Sequence, residues 1–468
     1  MSADPVASTT ANVPWYRELS GYHWFVFIVC TLAWMFDCLD QRFFVLARGR
    51  ALEELLGNPE QVKWYGSVAT SLLLIGWATG GLIFGVMGDR LGRTKTLMAT
   101  VGAYSLFTGL SALSVAWWDF CLYRFLTGLG IGGAFSAAVT LLAEEMPTRA
   151  RPHALGLMQA LSAIGNISGS LLGAVFLTKS LSVGWSILPD GEFHGWRILF
   201  VVGMLPALLI VPMMLYIREP ASWLAAREAA RQGQAAGNQV KLGSWREMFS
   251  DPLWRKNLIV GVLLVTAGAV GLWAIGFWTP ELIRDVLANS AKADPATGLV
   301  DADQLRAHQD EVASYALALQ DVGAFLGMIA FTAITARIGR RKAFGLSFLA
   351  CFIVVFGVFG FMNQEWQIYL FVPLVGFTTL TVFGGYAIYL PEIFPTRLRS
   401  TGTSLCYNAA RYLTAIGVFT MGSLTLLFNW LEFAEPFRWA ACSVAFIFLA
   451  GIAVLPFAPE TKGQPLPE

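Results

Sequence analysis

Charge is scarce in this sequence, and what there is comes in clusters. Only 13% of the 468 residues are charged while 56% are hydrophobic, against roughly 25% charge in an ordinary soluble domain. A soluble globule of this length needs far more polar surface, so that class is excluded. The net charge of +1 gives no electrostatic footprint for nucleic acid. Histidine is rare, and His23, His153, His194 and His308 all fall at segment ends or in loops, which argues against a histidine proton relay in mid-membrane. The six cysteines (Cys30, Cys38, Cys121, Cys351, Cys406, Cys442) show neither CxxC pairing nor metal-ligand spacing and read as packing residues. There is no nucleophile–base set, phosphate loop or metal cluster, so neither an enzyme nor a cofactor is expected. Met1–Leu19 lacks the basic-then-apolar pattern of a signal peptide, and no cleavage is expected there.

What the sequence does have is a succession of apolar stretches of about 20 residues, the length a helix needs to cross a bilayer core of about 30 Å. Backbone groups in lipid must be paired internally, so these stretches are helices and not isolated strands. Twelve spans are expected, near His23–Ala47, Trp64–Gly85, Thr96–Ala116, Asp119–Ala143, His153–Thr178, Trp196–Ile217, Asn257–Trp278, Val312–Thr335, Ala343–Met362, Gln367–Leu390, Thr401–Phe428 and Arg438–Phe457. The expected organisation is an N-terminal stretch 1–22, a six-helix bundle 23–217, a polar linker 218–256 with a surface helix, a second six-helix bundle 257–457 and a tail 458–468. With the N-terminus inside, Lys and Arg number 20 on one side against 9 on the other. Both termini are therefore expected in the cytoplasm, with the chain in the plasma (inner) membrane.

The chain also repeats itself. Gly85-Val-Met-Gly-Asp-Arg-Leu-Gly-Arg-Thr-Lys95 follows the second span, and Ala336-Arg-Ile-Gly-Arg-Arg-Lys342 follows the eighth. Glu144-Glu-Met-Pro-Thr-Arg-Ala-Arg151 follows the fourth, and Glu392-Ile-Phe-Pro-Thr-Arg-Leu-Arg399 the tenth. Arg90 and Arg337 are 247 residues apart, Pro147 and Pro395 248. Two signatures in register identify a six-plus-six duplication.

On these residues the chain resembles the major facilitator superfamily. Gly85-x-x-x-Asp89-Arg90-x-Gly92-Arg93 matches its best-known loop signature. Arg124-Phe-Leu-Thr-Gly128-Leu-Gly130-Ile-Gly132 resembles the fourth-helix motif of proton-coupled members. Trp196-Arg197, the Pro-Glu-Ile-Phe-Pro-Thr-Arg-Leu-Arg run and Pro459-Glu460-Thr461-Lys462-Gly463 look like the branch of sugar porters, aromatic-acid and metabolite symporters and organic-ion transporters. The resemblance implies an all-α membrane protein of two six-helix bundles and a gating role for Gly85, Asp89, Arg90, Gly92, Arg93, Glu144, Arg149, Glu392 and Arg397. Asp89 is placed to accept hydrogen bonds from a neighbouring helix N-terminus or Arg149, and Arg93 to pair with Glu144 or Glu145. The second loop copy has Ala336 in place of Asp89, so a symmetric gate is in doubt.

An ionisable residue at membrane depth is costly unless paired or hydrated, which makes each a functional candidate. Asp37 and Asp40 share a face of the first helix, roughly 15 and 10 Å below its outer end at 1.5 Å per residue. Arg124 on the fourth helix lies roughly 10 Å deep by the same count, so Asp40 and Arg124 are expected to pair. The resemblance makes Asp37, Asp40 and Arg124 the proton-coupling set; the alternative is a permanent structural ion pair. Arg42 is expected to snorkel outward.

In the second half Asp321 and Arg411 both fall near the midplane. Cys406-Tyr-Asn-Ala-Ala-Arg411 resembles the segment of animal organic-anion transporters that carries an arginine for the substrate's charge. Arginine suits that task because its planar fork binds a carboxylate in two places, with Asp321 expected to hold it between substrates. Tyr407, Asn408, Gln159 and Asn166 are further lining candidates, and Trp273, with Trp278, offers an apolar wall or outer gate. The leading expectation is a monomeric, lipid-embedded symporter that moves a small organic acid with protons by alternating access. A neutral-sugar porter and an organic-cation or drug carrier stay open; a non-transporting receptor on the same scaffold is expected to carry a long soluble extension, and none is present.

Overall fold

The computed structural model describes residues 14–57, 62–178, 182–184, 192–235, 242–276, 278–290 and 302–467. Residues 1–13 of the N-terminal stretch, and Lys179, Lys241 and Lys292 from the charge count, lie outside them.

The first half holds α1 (Gly21–Leu56), α2 (Val62–Leu91), α3 (Arg93–Ser111), α4 (Trp117–Glu145) and α5 (Arg151–Thr178). Its sixth span is broken, with α6 (Gly195–Val202) and α7 (Ile210–Tyr216) joined by a 3-10 turn at Leu205–Leu209 that contains Pro206. Two polar helices follow, α8 (Ala221–Ala235) and α9 (Trp245–Ser250). The second half holds α10 (Pro252–Gly276), α11 (Thr279–Ser290), α12 (Ala302–Ile338), α13 (Arg340–Phe361), α14 (Glu365–Glu392), α15 (Arg399–Trp430) and a divided last span, α16 (Pro436–Ala445) with α17 (Ile447–Val454). Among the described residues ten helices are long and apolar enough to cross a membrane. The more polar α3 and α15 complete two bundles of six. Leu208, Met214 and Leu215 on the outside are 68%, 69% and 68% exposed, a surface that suits hydrocarbon and not water.

Several helices outrun the bilayer-length segments that hydropathy marks. The first continues to Leu56 instead of ending at Ala47, and the eighth starts at Ala302 instead of Val312. Helix propensity continues where hydrophobicity stops, and the extension of α1 has a tertiary reason. Its Glu54 accepts from Trp196 Nε1 at 2.6 Å and pairs with Arg197 at 2.6 Å. Arg197 in turn donates to the carbonyls of Ala112 and Ser114 just past the end of α3. A short antiparallel ladder, β1 (Ser182–Gly184) with β2 (Glu192–His194), precedes α6. Three residues per strand leave no periodicity to read in the sequence.

Close helix pairs rest on small residues. Gly76 and Gly80 of α2 sit against the backbone of Phe125 and Leu129, and Gly128 and Gly132 of α4 against that of Leu73 and Trp77. In the second half Gly323 and Gly327 of α12 meet the backbone of Pro373 and Phe377 in α14. A Cβ at any of these would overlap backbone, so the spacing of four lets each pair approach. The halves meet chiefly along α2–α15 and α5–α12.

Candidate functional site

Between the halves lies a cavity of about 430 Å³. The first half contributes Trp34, Cys38, Gln41, Arg42, Trp77, Gln159, Ser162 and Asn166, and the second Trp273, Gln320, Asp321, Phe383, Tyr407 and Arg411. Four polar atoms of these residues (Trp34 Nε1, Trp77 Nε1, Gln159 Oε1, Gln320 Oε1) are buried without a hydrogen-bond partner. The wall thus combines aromatic faces with unused donors and acceptors, the make-up of a site for a small polar organic molecule.

Arg411 is the charge of most consequence here. Its guanidinium lies 3.6 Å from the Trp77 ring centroid and 4.7 Å from that of Tyr407, and Nη1 donates to Asn408 Oδ1. Tyr407 is held by stacking on Phe135 at 4.1 Å, and Asn408 by donating to the Ser404 carbonyl at 2.9 Å. Among the described residues no carboxylate forms an ion pair with Arg411.

The expected Asp321–Arg411 bridge is not formed. Asp321 pairs instead with Arg42 of the other half, Nη2 to Oδ2 at 3.0 Å. Arg42 therefore faces the cavity and does not snorkel outward. Trp34, Cys38, Gln41, Arg42 and Val45 line the cavity at helical spacing, so the face of α1 opposite Asp40 is the one turned to the centre.

Asp40 points into the first bundle, where Oδ1 accepts from Thr108 at 2.8 Å and Oδ2 lies 3.6 Å from Arg124 Nη1. Arg124 donates to Ser111 Oγ at 2.6 and 3.0 Å and lies 4.6 Å from the Phe200 ring centroid. Both groups are sealed, at 1% and 0% exposure, and neither lines the cavity. Asp37 is also buried, yet it touches the cavity wall through Gln41, whose Nε2 donates to Oδ1 at 3.2 Å. Among the described residues its Oδ2 has no hydrogen-bond partner.

The face that bears the termini is closed. Asp89 accepts the backbone N–H groups of Ser400 (3.0 Å) and Thr401 (2.8 Å) at the start of α15, where a helix N-terminus favours negative charge. Arg93 pairs with Asp89 at 3.0 Å and Glu144 at 2.9 Å, and Arg399 reaches Glu144 across the halves at 2.7 Å. Trp223 of α8 donates to the Asp89 carbonyl at 2.7 Å, which ties the linker to this cluster. Gly85 and Gly88 abut Ser404 and Ser400. Arg90 donates to the Leu242 carbonyl at 3.3 Å, and Arg397 pairs with Glu247 at 2.8 Å. Arg149 does not reach Asp89; it pairs with Glu18 at 2.9 Å.

The duplicated loop repeats part of this. Arg340 pairs with Glu392 at 2.8 Å, as Arg93 does with Glu144. Gly92 (φ +115°) and Gly339 (φ +91°) turn the chain into α3 and α13 in a conformation that favours glycine. A carboxylate then meets each helix start: Glu219 accepts from the N–H groups of Thr94 and Lys95, Glu460 from those of Arg340 and Arg341. Burial works against ionisation of Glu460, and the backbone donors from Arg340, Lys462 and Arg341 outweigh it, so its pKa falls below the usual range.

The Asp89 contact with the start of α15 has no counterpart in the other half among the described residues. Ala336 supplies no acid, and the counterparts of Ser400 and Thr401 are Pro152 and His153, of which Pro152 has no N–H to give. Arg151, the counterpart of Arg399, is 6% exposed with Nε unpartnered. At the α5–α12 contact Gly156 packs on Thr332 without any such bond among the described residues. If Asp89 is a latch, Asp89→Ala should label Ser404→Cys at least about fivefold faster with a thiol reagent, since Ser404 is buried against α2 and the native cysteines are all buried. Equal rates would remove Asp89 from the gate.

Sequence reasoning missed Arg42, Trp77, Arg340, Arg399, Glu219 and the helix-capping role of Glu460. Arg340 and Arg399 stand 247 and 248 residues after Arg93 and Arg151, so carrying the duplication offset onto every charged residue would have found them.

Residues 24–302 match the family model described as Major Facilitator Superfamily, and residues 307–468 the one described as Sugar (and other) transporter. The cis,cis-muconate transport protein of Acinetobacter baylyi is 29% identical, over 76% of this chain and 77% of its own. The probable 4-methylmuconolactone transporter of Cupriavidus pinatubonensis is 28% identical, over 96% and 93%. Among solved structures, the proton:xylose symporter XylE bound to 6-bromo-6-deoxy-D-glucose gives a TM-score of 0.72 at 17% identity, covering 95% of this chain and 98% of that one. That likeness speaks to fold alone.

Proposed function

The chain belongs to the major facilitator superfamily, and from that premise we propose that it is a secondary active transporter which carries a small organic acid together with a proton, and is not an enzyme. The observation that carries this reading is Arg411, a guanidinium in the cavity wall with no carboxylate paired to it among the described residues. A permanent charge in a half-buried, largely aromatic cavity wall calls for a counter-ion, and aromatic faces satisfy it only in part. A carboxylate entering the cavity supplies what is missing. The relatives named for muconate and a muconolactone support the same class.

Asp37 is the proton carrier in this reading, because it is the one, of Asp37 and Asp40 on α1, that adjoins the cavity, through Gln41. Asp40 and Arg124 support α1 from behind. The protein works as a monomer in the plasma (inner) membrane, both termini cytoplasmic, as the 20-to-9 distribution of basic residues suggests. The closed latch face is then cytoplasmic, and the halves rock about the cavity to release the acid inward.

Uptake of labelled benzoate, muconate, xylose and a small amine into proteoliposomes tests the reading. Concentrative uptake of an acid is expected with an inward proton gradient, and its collapse on adding a protonophore. Accumulation that survives the protonophore would reject proton coupling; uptake of xylose or the amine alone would reject the acid.

A further inference from the structure

The cavity holds two guanidinium groups, and their situations differ. Among the described residues Arg411 has aromatic and amide neighbours and no acid paired to it, whereas Arg42 is bound by Asp321 at 3.0 Å. Both arginines and Asp321 line the same space. Resting on the organic-acid reading of this site, we infer that Asp321 is a specificity-determining residue: by occupying Arg42 it leaves one anion position, at Arg411, and sets this cavity toward acids that carry a single carboxylate, unlike the dicarboxylate muconate for which one relative is named.

Charge compensation separates the two kinds of acid. One carboxylate entering the cavity meets Arg411 and leaves no charge behind. A second carboxylate on the same molecule finds Arg42 already paired, with the negative Asp321 beside it. It must either stay without a counter-charge beside Asp321, in a pair that is only partly exposed (27% and 19%), or displace Asp321, which then becomes the uncompensated group. Both outcomes are costly. Discrimination of this kind works against the wrong ligand instead of for the right one. Asp321 and Arg42 come from α12 and α1, so the pair also bridges the halves, and a ligand that broke it would disturb their docking as well.

Binding to the purified full-length protein tests this with two matched pairs of probes, benzoate with terephthalate and sorbate with trans,trans-muconate. Each pair shares a carbon frame and differs by one carboxylate. In the wild type the monoacid of at least one pair should bind at least about tenfold more tightly than its diacid. In Asp321→Asn, which frees Arg42, the diacid should gain at least about tenfold and the preference narrow or reverse. The double variant Arg42→Gln with Asp321→Asn removes both charges, and there the diacid should gain little. Wild-type protein that binds mono- and diacids alike overturns the inference, as does a double variant that gains as much as the single, since relief of repulsion alone would then explain the effect. If the single variant does not fold, the wild-type preference and the double variant, whose charges cancel, still decide it. Failure of the wild type to bind any of the four acids rejects the organic-acid reading itself and this inference with it, whereas binding without preference rejects the inference alone.

Discussion

Arg411→Gln should reduce carboxylate transport by about two to three orders of magnitude in the ratio of maximal rate to KM, while the protein still inserts and folds. Truncating one partner of a desolvated charge pair costs about 3–5 kcal/mol, and each 1.4 kcal/mol is about tenfold in affinity. The empty site does not depend on Arg411 to the same degree. Its contacts there are two aromatic rings and the Asn408 amide, and a cation on an aromatic face contributes only about 0.5–2 kcal/mol. The loss therefore falls on the bound state, and thermal stability should change little. Arg411→Lys retains the charge and is the sharper control. An ammonium lacks the planar fork that lies on Trp77 while presenting paired donors to a carboxylate, so most of the loss should persist. Kinetics in proteoliposomes, alongside size-exclusion profiles of the purified variants, would measure this. A Gln variant within about threefold of the wild type would take Arg411 out of the substrate site.

The architecture was legible because two signals agreed. Apolar runs of bilayer length marked the spans, and the repeated loop signatures fixed the six-plus-six arrangement. Pairing of the buried charges was legible only in part, for a definite reason. Counting residues along a helix gives depth, and depth placed Asp40 opposite Arg124, where the structure has them 3.6 Å apart. Depth does not give the direction a side chain faces once the helices are bundled. Asp321 and Arg411 share a level and yet do not pair, because Arg42, 279 positions from Asp321 in sequence, faces the same cavity and takes the acid. The cavity-facing stripe from Trp34 to Val45 was available in the sequence. Reading it required knowing that the Asp40 face is turned to α3 and α4, which is a tertiary fact. The charged cluster on the face that bears the termini shows the converse: the duplication offset relates Arg340–Glu392 to Arg93–Glu144, and the lack of an Asp89-like contact in the other half is visible in Ala336 and Pro152.

The Asp40–Arg124 pair allows the second large effect. Asp40→Ala leaves a guanidinium at 0% exposure with only Ser111, the Phe107 carbonyl and ring faces around it. Arg124→Met leaves a carboxylate with one oxygen on Thr108 and no cation in contact. Each single change strands a buried charge and should cost about 3–5 kcal/mol, while removing both costs much less than the sum. A double-mutant cycle in detergent or lipid should accordingly show large losses in the singles and recovery in the double. Transport then separates two roles for the pair. Because neither group lines the cavity and both lie inside the first bundle, the double variant should regain proton-driven accumulation along with stability. Asp37→Asn, by contrast, should fold normally and lose accumulation while keeping acid exchange across the membrane. A stable double variant that exchanges acid but no longer responds to a proton gradient would move the coupling site from Asp37 to the Asp40–Arg124 pair. Were Asp37→Asn to accumulate acid as the wild type does, Asp37 would be excluded as the carrier. The two results together locate the proton to one helical turn of α1.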